Sequence, residues 1–505
     1  DVCAKATDLS MFSDGGMDAV FSSHLLHLLE EPEKALREWW RVLRQDGFLV
    51  LYTPDAAQYP HIGVAEAPPH LNDLYQEDVV GMMETVGWWD LVENIKREKE
   101  NEYSFLQVFR KLRGDKREFS HKKNSTEGKK ACLVIRYGGI GDLLQTASVF
   151  PHLKKQGYHI TLACHPNGPE ILGSDPFLDA FRVQDPDQVP NMELGPYWEA
   201  LGREYDRVIN FSESTEATLL AMPGRRNHAL SYKARHLLMN VNYMDFMHAI
   251  ADVPKDPKHM RFYARPEETA MAAAYRKKLG DCPVIMWSLG GSSIHKFWPW
   301  APQAAHYILN ETNAKIVYVG DKDCQHLEKA VAHVLCVSML GMTQEDALKL
   351  SLRRMLERLR DKWGENRILC RSGSWEIRET LTFIDHCDLV VGPETGILNA
   401  ASLRPVPKVV MLSHSSHENL TRDWVNTVAL QPQDTPCYPC HRLHYSWDFC
   451  FKAPTFENAA LCAASIPPGL VIGAVKEKLS GSGKLHHSDQ HASHGRLDSR
   501  GGQPR

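Results

Sequence analysis

Between Leu133 and Thr146 a short apolar run, Leu133 to Ile135, meets the glycine-rich turn Gly138-Gly139-Ile140-Gly141, and a helix-forming stretch then opens on Asp142. That pattern confines the chain to a strand, a tight turn and a helix in immediate succession, the building unit of a doubly wound α/β sheet. The turn brings bare backbone close to a ligand and holds Asp142 at the helix mouth, so chemistry is expected there. The alternation continues, with strands expected at 131–136, 159–164 and 207–210 and a helix over 142–156 that turns Leu143, Leu144, Ala147, Phe150 and Leu153 inward. A second series places strands at 284–289, 315–320, 389–391 and 408–412. Two such series predict two facing doubly wound domains with a cleft between them. The charged stretch 344–365 reads as a helical insertion whose Leu348, Leu352, Leu356 and Leu359 form one stripe, expected to pack on its own domain.

Length sets the number of units, since 505 residues predict roughly three domains. The expected division is a unit over 1–112, a polar linker over 113–129, domains over 130–265 and 266–479, and a Gly, Ser, His and Arg tail over 480–505 expected to be disordered. A hydrophobic share of 43% and a net charge of -5 suit an ordinary globular protein, with no global electrostatic case for a nucleic-acid or membrane partner. No apolar run long enough for a membrane span and no leader are seen, and most cysteines lie inside apolar strands, as at Cys132, Cys164 and Cys282. The expectation is a protein with reduced thiols in the cytoplasm.

The first unit reads as strand, helix, strand: 18–22, then a helix opened by Pro32 and stopped by Gly47, then 48–53. Phe12 to Val20, His24-Leu25-Leu26-His27 and Leu36 to Gly47 stand in the order found in class I S-adenosylmethionine-dependent methyltransferases, whose second half this stretch resembles. In that family a glycine-rich loop and an acid before this region hold the methyl donor; Lys5 stands about where an acid facing the adenine is expected. S-adenosylmethionine binding is therefore not expected of this chain. The unit is read as a partial domain that scaffolds the next, with His24 and His27 structural, and the alternative is a methyltransferase whose front lies outside it.

Three motifs carry the main resemblance: Ile135 to Thr146, Ser288 to Pro299 and Asp388 to Ala401. In that order, each at a strand end, they resemble the ADP-heptose heptosyltransferases of glycosyltransferase family nine, whose fold is the two-domain GT-B type. The resemblance implies a bacterial or phage enzyme that moves a heptose or related sugar from a nucleoside diphosphate, ADP by implication, to an acceptor hydroxyl with inversion. Such transfer needs a base for the acceptor and stabilisation of the leaving diphosphate. Asp142 is the candidate base; its alternative role is to complete the helix start. Lys296 is the candidate phosphate partner, with Ser292 and Ser293 beside it. Gly139 and Gly141 shape the first turn. Thr395 and Gly396 start a helix whose amides would receive the diphosphate, and Glu394 would contact sugar hydroxyls. Glu394 stands where the family commonly has aspartate and Asn399 where it has histidine, so the sugar pocket is expected to differ. His414 and His417 line the donor site or are simply loop polar residues. The acceptor, whether glycan, protein or modified nucleic acid, and the oligomeric state stay open. Rival readings are a methyltransferase fused to a sugar-recognition module and a non-catalytic GT-B binding protein.

A separate cluster, Cys437-Tyr438-Pro439-Cys440 with Cys450 and Cys462, has the form of a four-sulfur structural metal site, and protein heptosyltransferases of the same family carry a comparable iron finger. Zinc and iron are not separated by four sulfurs. Buried free thiols, or a disulfide in an oxidising compartment, are the alternative, and His441 and His444 are the substitutes if Cys462 lies too far.

Overall fold

A computed structural model describes residues 4–480 apart from 57, 60, 61, 63–68, 84, 88, 97–102, 112–127, 185–188, 190, 213–231, 292 and 442–449. The expected linker and tail and His444 fall wholly or largely outside the described residues.

In the first unit β1 (Met17–Ser23) and β2 (Leu43–Pro54) pair in parallel, and β3 (Trp89–Lys96) and β4 (Ser104–Lys111) complete a sheet of order β1-β2-β4-β3 with antiparallel pairings. The helix Pro32–Val42 buries Ala35, Leu36, Trp39 and Trp40 against it. That helix ends well short of Gly47, because Leu43 is already extended and begins β2, whose pairing with β1 is irregular around Asp46, a residue with a φ of 59°.

Next come four parallel strands, β5 (Lys130–Ile135), β6 (Tyr158–Cys164), β7 (Ala180–Val183) and β8 (Arg207–Asn210), in the order β7-β6-β5-β8. The expected long helix over 142–156 is two helices, Ile140–Ala147 and Phe150–Lys155. Pro151 explains the break, since it has no amide to continue the ladder and suits a helix's first turn. Leu143, Leu144, Ala147, Phe150 and Leu153 are nonetheless all buried.

The third sheet has six parallel strands: β9 (Val284–Ser288), β10 (Lys315–Val319), β11 (Ile368–Cys370), β12 (Leu389–Pro393), β13 (Lys408–Met411) and β14 (Thr427–Leu430), in the order β11-β10-β9-β12-β13-β14. Its core strands are fully buried runs, as parallel sheets covered on both faces require. The insertion is also split, into Gln344–Leu348 and Leu352–Trp363, with Ser351 capping the second by accepting from the Arg354 amide. Leu359 is buried and Leu352 and Leu356 pack on the domain core, but Leu348 is left exposed. The protein is thus α/β, with two doubly wound parallel sheets. Strand order reverses between β5 and β8 in one sheet and between β9 and β12 in the other. Such reversals open a crevice at the carboxyl ends of the strands. All three sequence motifs lie at those ends.

Candidate active site

The turn after β5 carries Arg136, which is 2% exposed and donates from Nη2 to Asp142 Oδ1 at 2.6 Å and from Nη1 to the Phe211 carbonyl at 3.1 Å. The Gly139 amide donates to Asp142 Oδ2 at 2.8 Å. Asp142 therefore closes the first turn of its helix, satisfying an amide the helix itself leaves unpaired. Its side chain is still 35% exposed, enough to meet a ligand.

Asp142 opens on a cavity of about 320 Å³. Gly139, Gly141 and Gln145 share its wall with Asp142, and Gly291, Lys296, Glu394, Thr395, Gly396 and Asn399 come to it from the other domain. Ser293 is not in that wall; its carbonyl accepts from the Lys296 amide at 2.9 Å, holding the turn Ile294–Lys296. Ser292 lies outside the described residues.

The two domains touch where the helices Ile140–Ala147 and Gly396–Ala401 begin. Gln145 Nε2 donates to Asn399 Oδ1 at 3.2 Å, and Asn399 Nδ2 to the Thr395 carbonyl at 3.0 Å. The contact needs two glycines: a Cβ on Gly141 would stand 2.9 Å from Asn399 Nδ2, and one on Gly396 would stand 2.7 Å from Ile140 Cβ. The Asn399 amide can swing aside, but a Cβ cannot. Gly396→Ala is expected to cost about 1–3 kcal/mol as an overpacked contact and to part the domains at this point; chemical denaturation and small-angle scattering against Gly141→Ala check both effects.

Glu394 is 3% exposed and turned into the loop after β13. Its Oε1 accepts from the Ser413 amide at 2.9 Å, from the His414 amide at 2.6 Å and from the Ser413 hydroxyl, and His414 Nδ1 lies 2.6 Å away. Ser415 N reaches Oε2 at 3.3 Å. Burial pushes this carboxyl up, but His414, Lys296 and Ser413 together outweigh it and hold Glu394 well below the usual carboxylate range. The group expected to read sugar hydroxyls thus spends most of its acceptor capacity on the 413–415 loop.

His414 and Ser415 reach the cavity wall, whereas His417 Nδ1 lies 2.8 Å from Thr421 Oγ1 within its own turn. The wall also holds residues that no motif marked. Met239 and Tyr243 come from the helices Tyr232–Met239 and Tyr243–Ile250, which are fastened to the second domain. Asn419 Nδ2 donates to the Met239 and Val241 carbonyls at 2.9 and 3.0 Å, and Arg422 Nη2 pairs with Asp245 at 2.8 Å. His441, with a φ of 50°, lines the cavity and places Nε2 2.9 Å from Asn240 Oδ1.

Burial, with His236 and His414 adding to it, lowers the His441 pKa to about 4; burial, with His70 and His24, does the same to His27 in the first unit. Both rings are neutral when folded and take up protons on unfolding. Their contribution is complete above pH 6.5 and is lost as the pH falls towards about 4. Stability is expected to fall over that window by on the order of 1 kcal/mol per pH unit per ring, and His441→Asn and His27→Asn, followed by denaturant titration, should each flatten the slope.

Three of the four motif cysteines, Cys437, Cys450 and Cys462, lie near one another. Cys450 and Cys462 pack with Ile294 and Ala460, and Cys462 is pushed above the usual thiol range by burial first and then by Cys450 and Cys437. Burial likewise raises Cys437. Such thiols stay protonated unless a cation compensates. Among the described residues no group of three or more His, Cys, Asp or Glu side chains stands in metal-holding geometry, so the sulfurs as placed do not form a completed site.

No helix among the described residues is long and apolar enough to cross a membrane. Comparison with known proteins gives a family model, described as a methyltransferase domain, that matches residues 1–51. No curated protein matches the chain. Among solved structures, the chain is similar to the ADP-heptose LPS heptosyltransferase II of E. coli, with 14% identity over 70% of this chain and 99% of that one and a TM-score of 0.44. A family 9 glycosyl transferase from Veillonella parvula DSM 2008 gives 15% identity, coverage of 71% and 100% and a TM-score of 0.47. The iron-containing dodecameric glycosyltransferase TibC from enterotoxigenic E. coli H10407 gives 12% identity, coverage of 72% and 80% and a TM-score of 0.42.

Proposed function

We propose that the chain is an inverting glycosyltransferase of the family nine kind, moving a heptose or related sugar from a nucleoside diphosphate, in the first instance ADP, to an acceptor hydroxyl. The observation that carries this reading is one cavity with an exposed carboxylate, Asp142, on one domain and a lysine, Lys296, with the Thr395 and Gly396 turn on the other. Asp142 takes the acceptor proton as the acceptor oxygen bonds to the anomeric carbon. The bond from that carbon to the diphosphate oxygen breaks, its electron pair leaves with the diphosphate, and Lys296 offsets the charge that develops. Arg136 keeps Asp142 oriented. The partners are then a nucleotide-sugar donor and an acceptor glycan, protein or modified nucleic acid, in a reducing cytoplasm that suits free cysteines. Screening nucleotide sugars with mass spectrometry of the products tests the reading: a sugar-sized mass gain on an acceptor, with one free nucleoside diphosphate per transfer, supports it. Methyl transfer from S-adenosylmethionine without sugar transfer would replace it.

In the same reading Cys437, Cys440, Cys450 and Cys462 close on a structural zinc or iron ion; the nearness of Cys437 and Cys450 to Cys462 supports it. Elemental analysis should return about one metal per chain, and a strong chelator should lower the melting temperature. Metal-free protein with an unchanged melting temperature would leave these residues as buried thiols.

A further inference from the structure

The segment that bears Lys296 is fastened along its length to the cysteine-bearing segment near the end of the second domain. Ile294 packs with Cys450 and Cys462, Trp298 Nε1 donates to the Ile466 carbonyl at 3.0 Å, and Trp300 Nε1 donates to the Ala464 carbonyl at 2.8 Å. Between those anchors sits His295, 3% exposed, an unusual place for a polar ring with no part in the cavity wall. Its Nδ1 lies 3.9 Å from Cys450 Sγ, and its ring lies against the His414 ring with centroids 4.8 Å apart and planes tilted by 57°. His414 in turn meets Glu394 Oε1 at 2.6 Å and reaches the cavity wall. One buried imidazole therefore touches the cysteine region on one side and the 413–415 loop on the other, and the next residue is Lys296.

The geometry points to His295 as a positioning residue: wedged between Cys450 and His414, it sets where Lys296 and the His414 loop stand, and so ties affinity for the donor diphosphate to the integrity of the cysteine region. This rests on the donor reading above. Its physical basis is that a binding side chain is only as well placed as the packed groups behind it. A lysine has many rotamers, and a short turn has no regular ladder to hold it. The outer partners of metal ligands, whose loss costs about 10- to 100-fold in affinity or activity, set the scale expected here.

ADP is the probe, titrated calorimetrically into the whole chain. His295→Ala should weaken ADP binding by roughly 10- to 100-fold and raise the KM for the sugar donor while leaving the acceptor KM unchanged. His295→Asn, whose side-chain amide can stand where Nδ1 stands, should restore most of the loss; a merely space-filling role would not distinguish the two. Cys450→Ala, with its metal content measured beside that of the wild type because Cys450 is also a proposed metal ligand, approaches the same contact from the other side and should serve if His295→Ala does not fold. At equal metal content the double variant should bind about as weakly as the weaker of the two single variants, since the two changes share one contact. Wild-type affinity in His295→Ala, or losses that simply add in the double variant, would overturn this role and leave the donor reading standing. A wild type that binds no ADP would overturn the donor reading first, and this role with it.

Discussion

Asp142→Asn is expected to lower sugar transfer by about 10²–10⁴-fold, the usual contribution of a positioned general base, while ADP binding stays close to wild type. Asparagine is the informative change because it removes the charge and the basicity but keeps an oxygen for the Gly139 amide, which Asp142 accepts at 2.8 Å. Alanine would also leave the 2%-exposed Arg136 without the carboxylate it meets at 2.6 Å, and would mix catalysis with stability. Single-turnover transfer measured beside a binding titration separates the two effects. Equal loss of binding and turnover would make Asp142 a structural cap, and unimpaired transfer would remove it from the mechanism.

Glu394→Ala should have the largest effect on stability, on the order of 3 kcal/mol, because deleting a buried carboxylate leaves the buried donors around it unsatisfied. The deletion strands the Ser413 and His414 amides, which donate to Oε1 at 2.9 and 2.6 Å. Glu394→Gln keeps one acceptor oxygen and should lose less. Because the folded carboxyl is held below its ordinary value of 4.5, its contribution is present above about that pH and disappears as the pH falls below it. The acid limb of the unfolding curve should therefore shift in both variants, while the limb due to His27 near pH 6.5 to 4, on which Glu394 does not act, should not. Chemical denaturation across pH reads both. A wild-type unfolding curve in Glu394→Ala would mean that the 413–415 loop holds itself.

The sequence makes much of this architecture legible because its signals are local. Strand, glycine turn and helix at Leu133 to Thr146, and the corresponding turns after β9 and β12, are short-range patterns that survive without knowledge of the fold. What escapes is whatever depends on residues far apart in the chain. Arg136 is an ordinary strand-end residue until Asp142 turns back onto it. Met239 and Tyr243 join the cavity only because Asn419 and Arg422 clamp their helices from nearly two hundred residues away. Glu394 keeps its place in the cavity wall, but the hydrogen bonds that tie it to the loop at Ser413 depend on residues twenty positions further on. Periodicity also overran two helices, since the apolar spacing from Leu143 to Leu153 continues through Pro151 although the backbone ladder does not.

Gly141 and Gly396 show why the local signals and the site coincide. Both sit in turns that a glycine pattern marks, yet what requires them is the approach of one domain to the other, with Ile140 and Asn399 filling the space a side chain would take.

A crystal structure with ADP bound tests the central claim most directly. The account predicts the diphosphate in the interdomain cavity, against Lys296 and the Thr395 and Gly396 amides, with Asp142 facing it across open space for the acceptor. ADP bound elsewhere, or a diphosphate resting on Asp142 with Lys296 turned away, would contradict it.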